Sequence, residues 1–310
     1  HPQDTIECIA CNQGCIERLI FEVKTVRCAI NPETGQELLY PAEPAATPRN
    51  VWVIGAGPGG LTAACEAARL GHKVSLFEEN NAAGGQVRLA AQAPFKQAYG
   101  NWIGKLTAKA GKLGVAINSG VHMTADKIIA GKPDLVIMAT GGENMIPAID
   151  GMDQPNVCSA WQILNGQVEG TSPLLIVGGG LTGLETADYL GAHGCQDITV
   201  VESLPQSPVS LLRSHGYMLH KRLQKQGVKQ LFGAEVQKID GEYVTVKNND
   251  QETVMGPFKQ IILALGTRPR NELVLQMEKT GIPYTIVGDA EKTGRIIEAT
   301  ESGANAAWNI

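Results

Sequence analysis

Two segments of the chain repeat one pattern of apolar, glycine and polar positions. Residues 51–79 and residues 174–203 each begin with an apolar run, pass through a glycine-rich turn, and continue with alanine and leucine at helical spacing. A second apolar run follows in each segment and ends at an acidic residue. The pattern predicts a strand, a helix and a second strand, so the chain contains the same βαβ unit twice.

The two copies align at their glycines. After one inserted residue, Glu78 of the first copy aligns with Glu202 of the second. A shorter buried strand is predicted after each copy, at residues 135–142 and 261–268, and another at residues 285–290 before a C-terminal helix. The aligned glycines are Gly55, Gly57, Gly60 and Gly71 in the first copy, and Gly178, Gly180, Gly183 and Gly194 in the second.

Composition narrows the classes of function. The formal net charge of -5 provides no basic surface that could neutralise phosphates, which argues against a nucleic-acid partner. The longest charge-free apolar stretch, residues 51–65, is interrupted by glycine and proline and is shorter than the ~20 residues of a membrane span. We therefore expect no membrane partner. The start at His1 rather than Met leads us to expect a fragment or a processed piece.

Four of the seven cysteines are close together near the start of the chain, in the pattern C-x2-C-x3-C-x12-C. Structural zinc usually uses two C-x2-C pairs or histidine, and neither is present nearby. A disulfide framework is typical of small secreted chains. The spacing favours a [4Fe–4S] cluster in a reducing, cytoplasmic location, with zinc and no metal as alternatives. The four candidate ligands are Cys8, Cys11, Cys15 and Cys28.

The glycine turns have the spacing of dinucleotide-binding loops. Gly55 allows a tight turn, Gly57 lets a pyrophosphate approach the backbone, and Gly60 lets helix and strand pack closely. The helix start offers N–H groups to the phosphates, and Glu78 is placed to bind ribose hydroxyls. In the second copy we expect the same roles for Gly178, Gly180, Gly183 and Glu202. Gly266, at the end of a later strand, is expected to make a further contact with NAD.

The two predicted sites differ in their surroundings. The first copy is followed by Gly85-Gln86, and a late strand ends at Gly288-Asp289, where an aspartate can bond the ribityl or pyrophosphate region of FAD. An N-cap role is the alternative for that aspartate. The second site lacks this supplement and suits a nicotinamide dinucleotide. Glu202 favours NADH over NADPH, because a 2′-phosphate would meet a like charge.

These features predict an α/β fold with two Rossmann-like dinucleotide-binding domains, the second inserted in the first, as in glutathione reductase. Residues 1–45 form an iron–sulfur segment and connector, and residues 31–50, which run into the next domain, are expected to be extended. Residues 46–150 and 271–310 form the FAD-binding domain, and residues 151–270 form the inserted NAD(P)-binding domain.

No catalytic residue can be assigned within the chain. The six histidines show no metal-ligand spacing, and His215 and His220 are expected at solvated positions. No Ser-His-Asp or paired-carboxylate arrangement is evident. None is needed for hydride transfer between nicotinamide and flavin, because the cofactors carry that chemistry.

Several motifs in order resemble one known family. ECIACNQGCIERLIFEVKTVRCAINPETG, GAGPGG, GGQ, ATGG, GGGLTGLE and IVGDA resemble the C-terminal half of the iron–sulfur flavoenzymes of the old yellow enzyme class. These are the relatives of 2,4-dienoyl-CoA reductase and trimethylamine dehydrogenase, or NADH:flavin oxidoreductases. In that family an N-terminal TIM barrel holds FMN and the substrate, and the cluster lies at the junction. The 310 residues of this chain do not include such a barrel, so we expect either part of a longer protein or a separate electron-transfer subunit.

The resemblance also implies site residues. The four cysteines above would bind the cluster, and Met123 would lie near the adenine of FAD. The other residues that would line the FAD are Gly55, Gly57, Gly60, Glu78, Gly85, Gln86, Thr140, Gly141, Gly288 and Asp289.

The function expected from all of this is electron transfer. Electrons would pass from NADH through FAD and the cluster to FMN in a barrel domain, in the same or a partner chain, that reduces an enoate or similar alkene. One alternative is an amine dehydrogenase or demethylase with reversed electron flow and ADP in the first site. Another is a redox-inactive assembly module. The oligomeric state stays open, with a homo-oligomer among the alternatives.

Overall fold

Strands and helices alternate along most of the chain in a computed structural model, which describes residues 5–40, 43–212 and 215–310. The strands are β1 Asn50–Ile54, β2 Lys73–Glu78, β3 Ala116–Ser119, β4 Leu135–Met138, β5 Gly142–Asn144, β6 Val157–Ser159, β7 Leu174–Val177, β8 Ile198–Glu202, β9 Lys229–Phe232, β10 Ala234–Asp240, β11 Tyr243–Asn248, β12 Gln251–Met255, β13 Gln260–Leu263, β14 Thr267–Pro269 and β15 Tyr284–Ile286. The helices are α1 Pro58–Arg69, α2 Val87–Ala90, α3 Gln97–Lys112, α4 Ala125–Gly131, α5 Ala160–Leu164, α6 Leu181–Ala192, α7 His215–Lys225, α8 Glu272–Met277 and α9 Ile296–Trp308.

The chain divides into two compact units. Unit 1 contains His1–Arg88, Ala98–Glu143 and Arg268–Ile310, and unit 2 contains Leu89–Gln97 and Asn144–Thr267. Each unit contains one of the predicted βαβ repeats, formed by β1, α1 and β2 in unit 1 and by β7, α6 and β8 in unit 2.

Unit 1 is built on a five-stranded sheet in the order β15-β4-β1-β2-β3. All of its strand pairs are parallel, as expected for strands joined by helical crossovers. β1 is the central strand, and its residues Val51 and Val53 are fully shielded from solvent. A core cluster joins the sheet to α4 through Ile128 and to α8 through Val274 and Met277.

Helices α1 and α9 of unit 1 approach each other through residues without side chains. A Cβ atom on Gly303 would collide with the carbonyl of Gly59, and one on Gly59 would lie 2.9 Å from the carbonyl oxygen of Ala299. At the other end of α9, the indole of Trp308 donates a 3.0 Å hydrogen bond to the buried carboxylate of Glu66 on α1. The two helices are therefore fixed at both ends of their contact.

Unit 2 repeats the parallel arrangement in its sheet β6-β13-β7-β8-β9. Leu174, Ile176 and Val200 pack against the buried residues of α5, α6 and α7 in one core cluster. A second cluster joins Leu175 and Val177 to the antiparallel sheet β10-β11-β12. The three central strands, β13, β7 and β8, are thus buried by helices and by a small sheet, which explains their nearly continuous apolar sequences.

The connector before β1 differs from the extended segment predicted for residues 31–50. Residues 31–40 form successive turns, in which Thr34 N bonds to the Asn31 carbonyl and Gln36 N to the Glu33 carbonyl. Gly35 has a φ of +69°, and its carbonyl accepts a 2.9 Å hydrogen bond from Arg27. Proline and glycine here start and close turns instead of extending the chain.

Helices long and apolar enough to cross a bilayer are absent from the described parts of the chain.

The close packing of α1 and α9 predicts opposite effects for two glycine-to-alanine changes. Gly303→Ala should lower the free energy of unfolding by about 1–3 kcal/mol, because α9 must move away from α1. Gly104→Ala, on α3, should be neutral or raise it by up to about 1 kcal/mol, because a Cβ there meets nothing within 4 Å. Urea denaturation followed by circular dichroism measures both. Equal effects of the two changes would contradict the packing described.

Candidate functional site

The loop between β1 and α1 packs backbone against backbone and leaves one side open. Gly55 has a φ of +106°, and a Cβ atom there would collide with the carbonyl of Ala139. A Cβ on Gly60 would collide with the carbonyl of Gly55. At Gly57, in contrast, a Cβ would meet nothing within 4 Å, and this residue caps α1 without a side-chain hydrogen bond. The exposed helix start fits the pyrophosphate of a dinucleotide.

Glu78 at the end of β2 holds this loop in place. Its side chain is buried, one carboxylate oxygen accepts a 2.8 Å hydrogen bond from Ala56 N, and the other accepts from Asn80 N at 2.9 Å and Asn80 Nδ2 at 2.7 Å. A carboxylate offers about four acceptor positions. Three are used by the protein, so one acceptor position is left for a ribose hydroxyl.

The segment after β2 closes against the same loop. Gly84 N donates a 2.7 Å hydrogen bond to the Ala56 carbonyl, and a Cβ on Gly85 would lie 3.2 Å from the Cα of Gly57. The side chain of Gln86 donates a 2.9 Å hydrogen bond to the carboxylate of Asp289. The fold thus brings together two candidate residues that are far apart in the sequence.

Asp289 follows Gly288, which has a φ of +62°. The second carboxylate oxygen of Asp289 accepts a 3.0 Å hydrogen bond from Gly294 N. Burial raises the pKa of this carboxyl, and the bonds from Gly294 and Gln86 oppose the shift. Asp289 therefore has two protein partners and is half-buried beside the candidate site.

The three remaining candidates of the first site have different surroundings. Thr140 donates a 2.8 Å hydrogen bond to the Arg270 carbonyl, and the Gly141 carbonyl accepts one of 3.0 Å from Arg270 N. Gly141 has a φ of +73°, and a Cβ there would meet no atom within 4 Å. The side chain of Met123 is buried in the core cluster that contains Ile54, and the residue lies between β3 and α4, outside the strands of the sheet.

Unit 2 repeats the glycine geometry of unit 1. Gly178 has a φ of +110°, and a Cβ there would collide with the carbonyl of Ala264. A Cβ on Gly183 would collide with the carbonyl of Gly178. Gly180 has open space around its Cβ position and caps α6 without a side chain. The second loop therefore offers the same backbone cradle as the first.

Glu202 at the end of β8 has the same role as Glu78. One of its buried carboxylate oxygens accepts a 2.7 Å hydrogen bond from Gly179 N, and the other accepts from Leu204 N at 2.9 Å and Ser203 Oγ at 3.2 Å. Sequence reasoning missed Ser207, which is 1% exposed and donates a 3.0 Å hydrogen bond to the Gly179 carbonyl. Nothing in its sequence context distinguishes this serine from a loop residue.

Gly266 follows the third strand of the unit 2 repeat, as expected. Its φ is +98°, and its carbonyl accepts a 3.0 Å hydrogen bond from Met145 N.

Unit 2 also contains a buried charged cluster that sequence reasoning missed. Lys96 donates a hydrogen bond to the carboxylate of Glu185 on α6, and His215 Nε2 lies 3.0 Å from the same oxygen. Burial acts to raise the pKa of Glu185, but His215 and Lys96 outweigh it and the pKa lies below its ordinary value. The expectation that His215 is solvated was wrong, because it pairs with this carboxylate. A glutamate among the buried positions of α6 was the available signal.

The cysteine segment curls around Cys11. Ala10 and Asn12 have φ values of +54° and +60°, and Ala10 N lies 3.3 Å from the sulfur of Cys8. All four cysteines are free thiols. Burial raises the pKa of Cys11 to about 11, and the charges of Cys28, Cys15 and Cys8 add to the shift.

Within residues 5–40, 43–212 and 215–310, no three Cys, His, Asp or Glu side chains converge to hold a single metal ion. A [4Fe–4S] cluster binds its four thiolates to four different irons, so the thiolate sulfurs stand farther apart than the ligands of one ion. Four free thiols on a curled backbone fit such a cluster by their chemistry.

The cysteine segment is fastened to α9. The side-chain oxygen of Gln13 accepts a 3.1 Å hydrogen bond from Ile297 N, and Arg295 donates one of 2.6 Å to Glu17. The cysteine segment and the first glycine loop both belong to unit 1.

The buried cluster predicts a large effect of a conservative change. Glu185→Gln removes the charge facing Lys96 and His215 and should lower the free energy of unfolding by about 3 kcal/mol. The control is Asp197→Asn, in the exposed ion pair with Lys229, which should cost less than about 1 kcal/mol. Urea denaturation compares the two.

The pH dependence gives a second readout of the Glu185 variant. Because the pKa of Glu185 is lowered in the folded protein, its contribution is present above an unfolded pKa of about 4.3 and is lost as the pH falls through the folded value. The glutamine variant should lack this part of the acid destabilisation. If the glutamine variant lost as much stability at acid pH as the wild type, the pairing of Glu185 would be contradicted.

Comparison with known proteins places this geometry in a family. The family model for pyridine nucleotide-disulphide oxidoreductases matches residues 49–292. An NADH oxidase from Thermoanaerobacter brockii is 35% identical over 310 residues, which cover 98% of this chain and 48% of that protein. A bilirubin reductase from Mediterraneibacter gnavus is 34% identical over 301 residues, which cover 97% of this chain and 46% of that protein.

A solved structure agrees with these matches. A 2-naphthoyl-CoA reductase in complex with 2-naphthoyl-CoA superposes with a TM-score of 0.94 at 27% identity, over 100% of this chain and 47% of that one. The chain spans about half the length of each of these relatives. The resemblance inferred from the sequence motifs is confirmed, and the chain belongs to the pyridine nucleotide-disulphide oxidoreductase family.

Proposed function

We propose that this chain is the electron-transfer part of a flavin oxidoreductase. It would take electrons from NADH and pass them through FAD and a [4Fe–4S] cluster to an FMN-binding barrel that reduces an enoate or similar alkene. The observation that carries the proposal is the pair of equivalent glycine loops, each with an open backbone position, at Gly57 and Gly180, where a pyrophosphate can approach. When bound, FAD exchanges a hydride with nicotinamide and single electrons with an iron–sulfur cluster.

The first site is assigned to FAD on its own side chains. Glu78 fixes the loop and keeps one acceptor position that would bind the ribose, and the N–H groups at the start of α1 would bind the pyrophosphate. Gln86 donates a hydrogen bond to Asp289 beside the same loop. In unit 2, Glu202 and Ser207 fix the equivalent loop, and the open backbone position at Gly180 would suit a coenzyme that must leave after each turnover.

The cluster is assigned to Cys8, Cys11, Cys15 and Cys28. The contacts of Gln13 and Glu17 with α9 hold this segment in the unit that contains the first site. Backbone N–H groups in the curled loop, such as Ala10 N beside the sulfur of Cys8, would stabilise thiolate charge.

Exposed apolar residues beside the cysteines support the proposal that a barrel domain docks against this segment. Leu19 is 55% exposed, Ile20 is 59% exposed and Val23 is 87% exposed. Similar proteins are about twice as long as this chain, so an additional domain could cover this surface. The alkene substrate is proposed by analogy with the similar reductase of 2-naphthoyl-CoA, a conjugated acyl thioester.

Cofactor analysis of anaerobically purified protein tests the proposal. We expect FAD in the acid extract, about four iron and four sulfide per chain, and visible flavin bands that NADH bleaches. Cys15→Ser should lose iron and keep FAD, whereas the control Cys195→Ser, in unit 2, should keep both. Bound zinc without sulfide would contradict the cluster, and ADP in place of FAD would favour the amine dehydrogenase alternative.

The position of Glu202 predicts a preference for NADH. A 2′-phosphate placed beside this buried carboxylate meets a like charge, which should lower kcat/KM with NADPH about tenfold to a hundredfold. Glu202→Gln should reduce the ratio of kcat/KM with NADH to kcat/KM with NADPH, as measured by reduction of an artificial acceptor with each coenzyme. The matched control is Glu78→Gln at the equivalent position of unit 1, which should weaken FAD retention without changing coenzyme preference. An unchanged preference in Glu202→Gln would show that the carboxylate does not select the coenzyme.

A further inference from the structure

The strand order of unit 1 places two chain segments on either side of the first glycine loop. In the sheet β15-β4-β1-β2-β3, β4 and β2 are the two neighbours of β1. All three strands are parallel, so their carboxyl ends lie at one edge. Gly55 follows β1 at this edge, Thr140 follows β4 on one side, and Glu79 follows β2 on the other. A dinucleotide bound in this fold lies across that edge.

One side chain connects the two sides. Arg270 donates two hydrogen bonds to the carboxylate of Glu79, one through Nη1 and the other, of 3.0 Å, through Nη2. Its backbone is fixed to the end of β4, because its N–H bonds to the Gly141 carbonyl at 3.0 Å and its carbonyl accepts from Thr140 at 2.8 Å. The guanidinium therefore reaches from the β4 side to the β2 side, past the end of β1.

The ion pair is accessible from solvent. The side chains of Arg270 and Glu79 are 35% and 36% exposed, and His122 Nδ1 lies 3.3 Å from the second carboxylate oxygen. Glu79 directly follows Glu78, the candidate ribose ligand. The pair thus lies next to the candidate ribose ligand and is open to solvent.

We propose that the Arg270–Glu79 ion pair is a latch that retains the adenosine half of the dinucleotide in the first site. The proposal rests on the proposed function, because it requires a dinucleotide in this site. A ligand that enters or leaves past the carboxyl end of β1 must wait for the pair to open. The bidentate geometry holds the guanidinium in one orientation and makes the closed state the favoured one.

A latch has a kinetic signature that a binding contact lacks. Breaking the pair speeds entry and exit by similar factors, so Kd changes little. Loss of a ligand contact, such as the one proposed for Glu78, speeds exit alone and raises Kd. The two roles are distinguished by measuring both rate constants for each variant.

The experiment uses the whole chain, stripped of flavin, with FAD and ADP as separate probes in stopped-flow binding and displacement. Glu79→Gln and Arg270→Gln should each raise the association and dissociation rates about threefold, as expected for one half-exposed ion pair. The double variant should show no further increase. Added salt should speed the wild-type rates towards those of the variants and affect the variants less.

The matched control is Glu143→Gln, which breaks the neighbouring exposed pair of Arg268 and Glu143, 2.7 Å apart in the same unit. Its rates should equal those of the wild type. Unchanged rates in both latch variants, or a rise in dissociation alone, would overturn the latch while leaving FAD binding intact. If neither FAD nor ADP binds the wild-type chain, the proposed function and the latch both fail. Because the two probes share adenosine diphosphate, binding of ADP alone still tests the latch.

Discussion

Both units depend on a turn in which backbone packs directly against backbone. After the central strand, the chain must pass the neighbouring strand and begin a helix within a few residues. A side chain at Gly55 or Gly60 would collide with a carbonyl of this turn, and the same holds for Gly178 and Gly183. The close packing directs the N–H groups at the helix start into open space. A dinucleotide site is thus a consequence of how the strand and the helix meet.

The glutamate after the second strand completes this arrangement. Glu78 bonds to Ala56 N and Glu202 bonds to Gly179 N, so each carboxylate fixes its loop, and in the proposed function each would also bind a ribose. The dual role explains why both acids are buried although the sequence suggests only a ligand contact. A substitution at either position will therefore disturb the loop and the ligand together.

Local repeats were predictable from the sequence, and contacts between distant segments mostly were not. The βαβ units follow from apolar runs and glycine spacing, which act over a few residues. The pairing of Gln86 with Asp289 brought together two residues already assigned to one ligand. The cluster of Lys96, Glu185 and His215 was not predicted, because its three members come from separate segments, and only the place of Glu185 among the buried positions of α6 signalled a partner.

The central claim is that electrons pass from NADH through the first site to the cysteine segment. An anaerobic titration with NADH, followed by visible absorption and electron paramagnetic resonance, tests it most directly. We predict that the flavin bands bleach and that the signal of a reduced [4Fe–4S] cluster appears, with electrons shared between the two centres. A bleached flavin in protein that contains its iron and sulfide but develops no cluster signal would contradict the account.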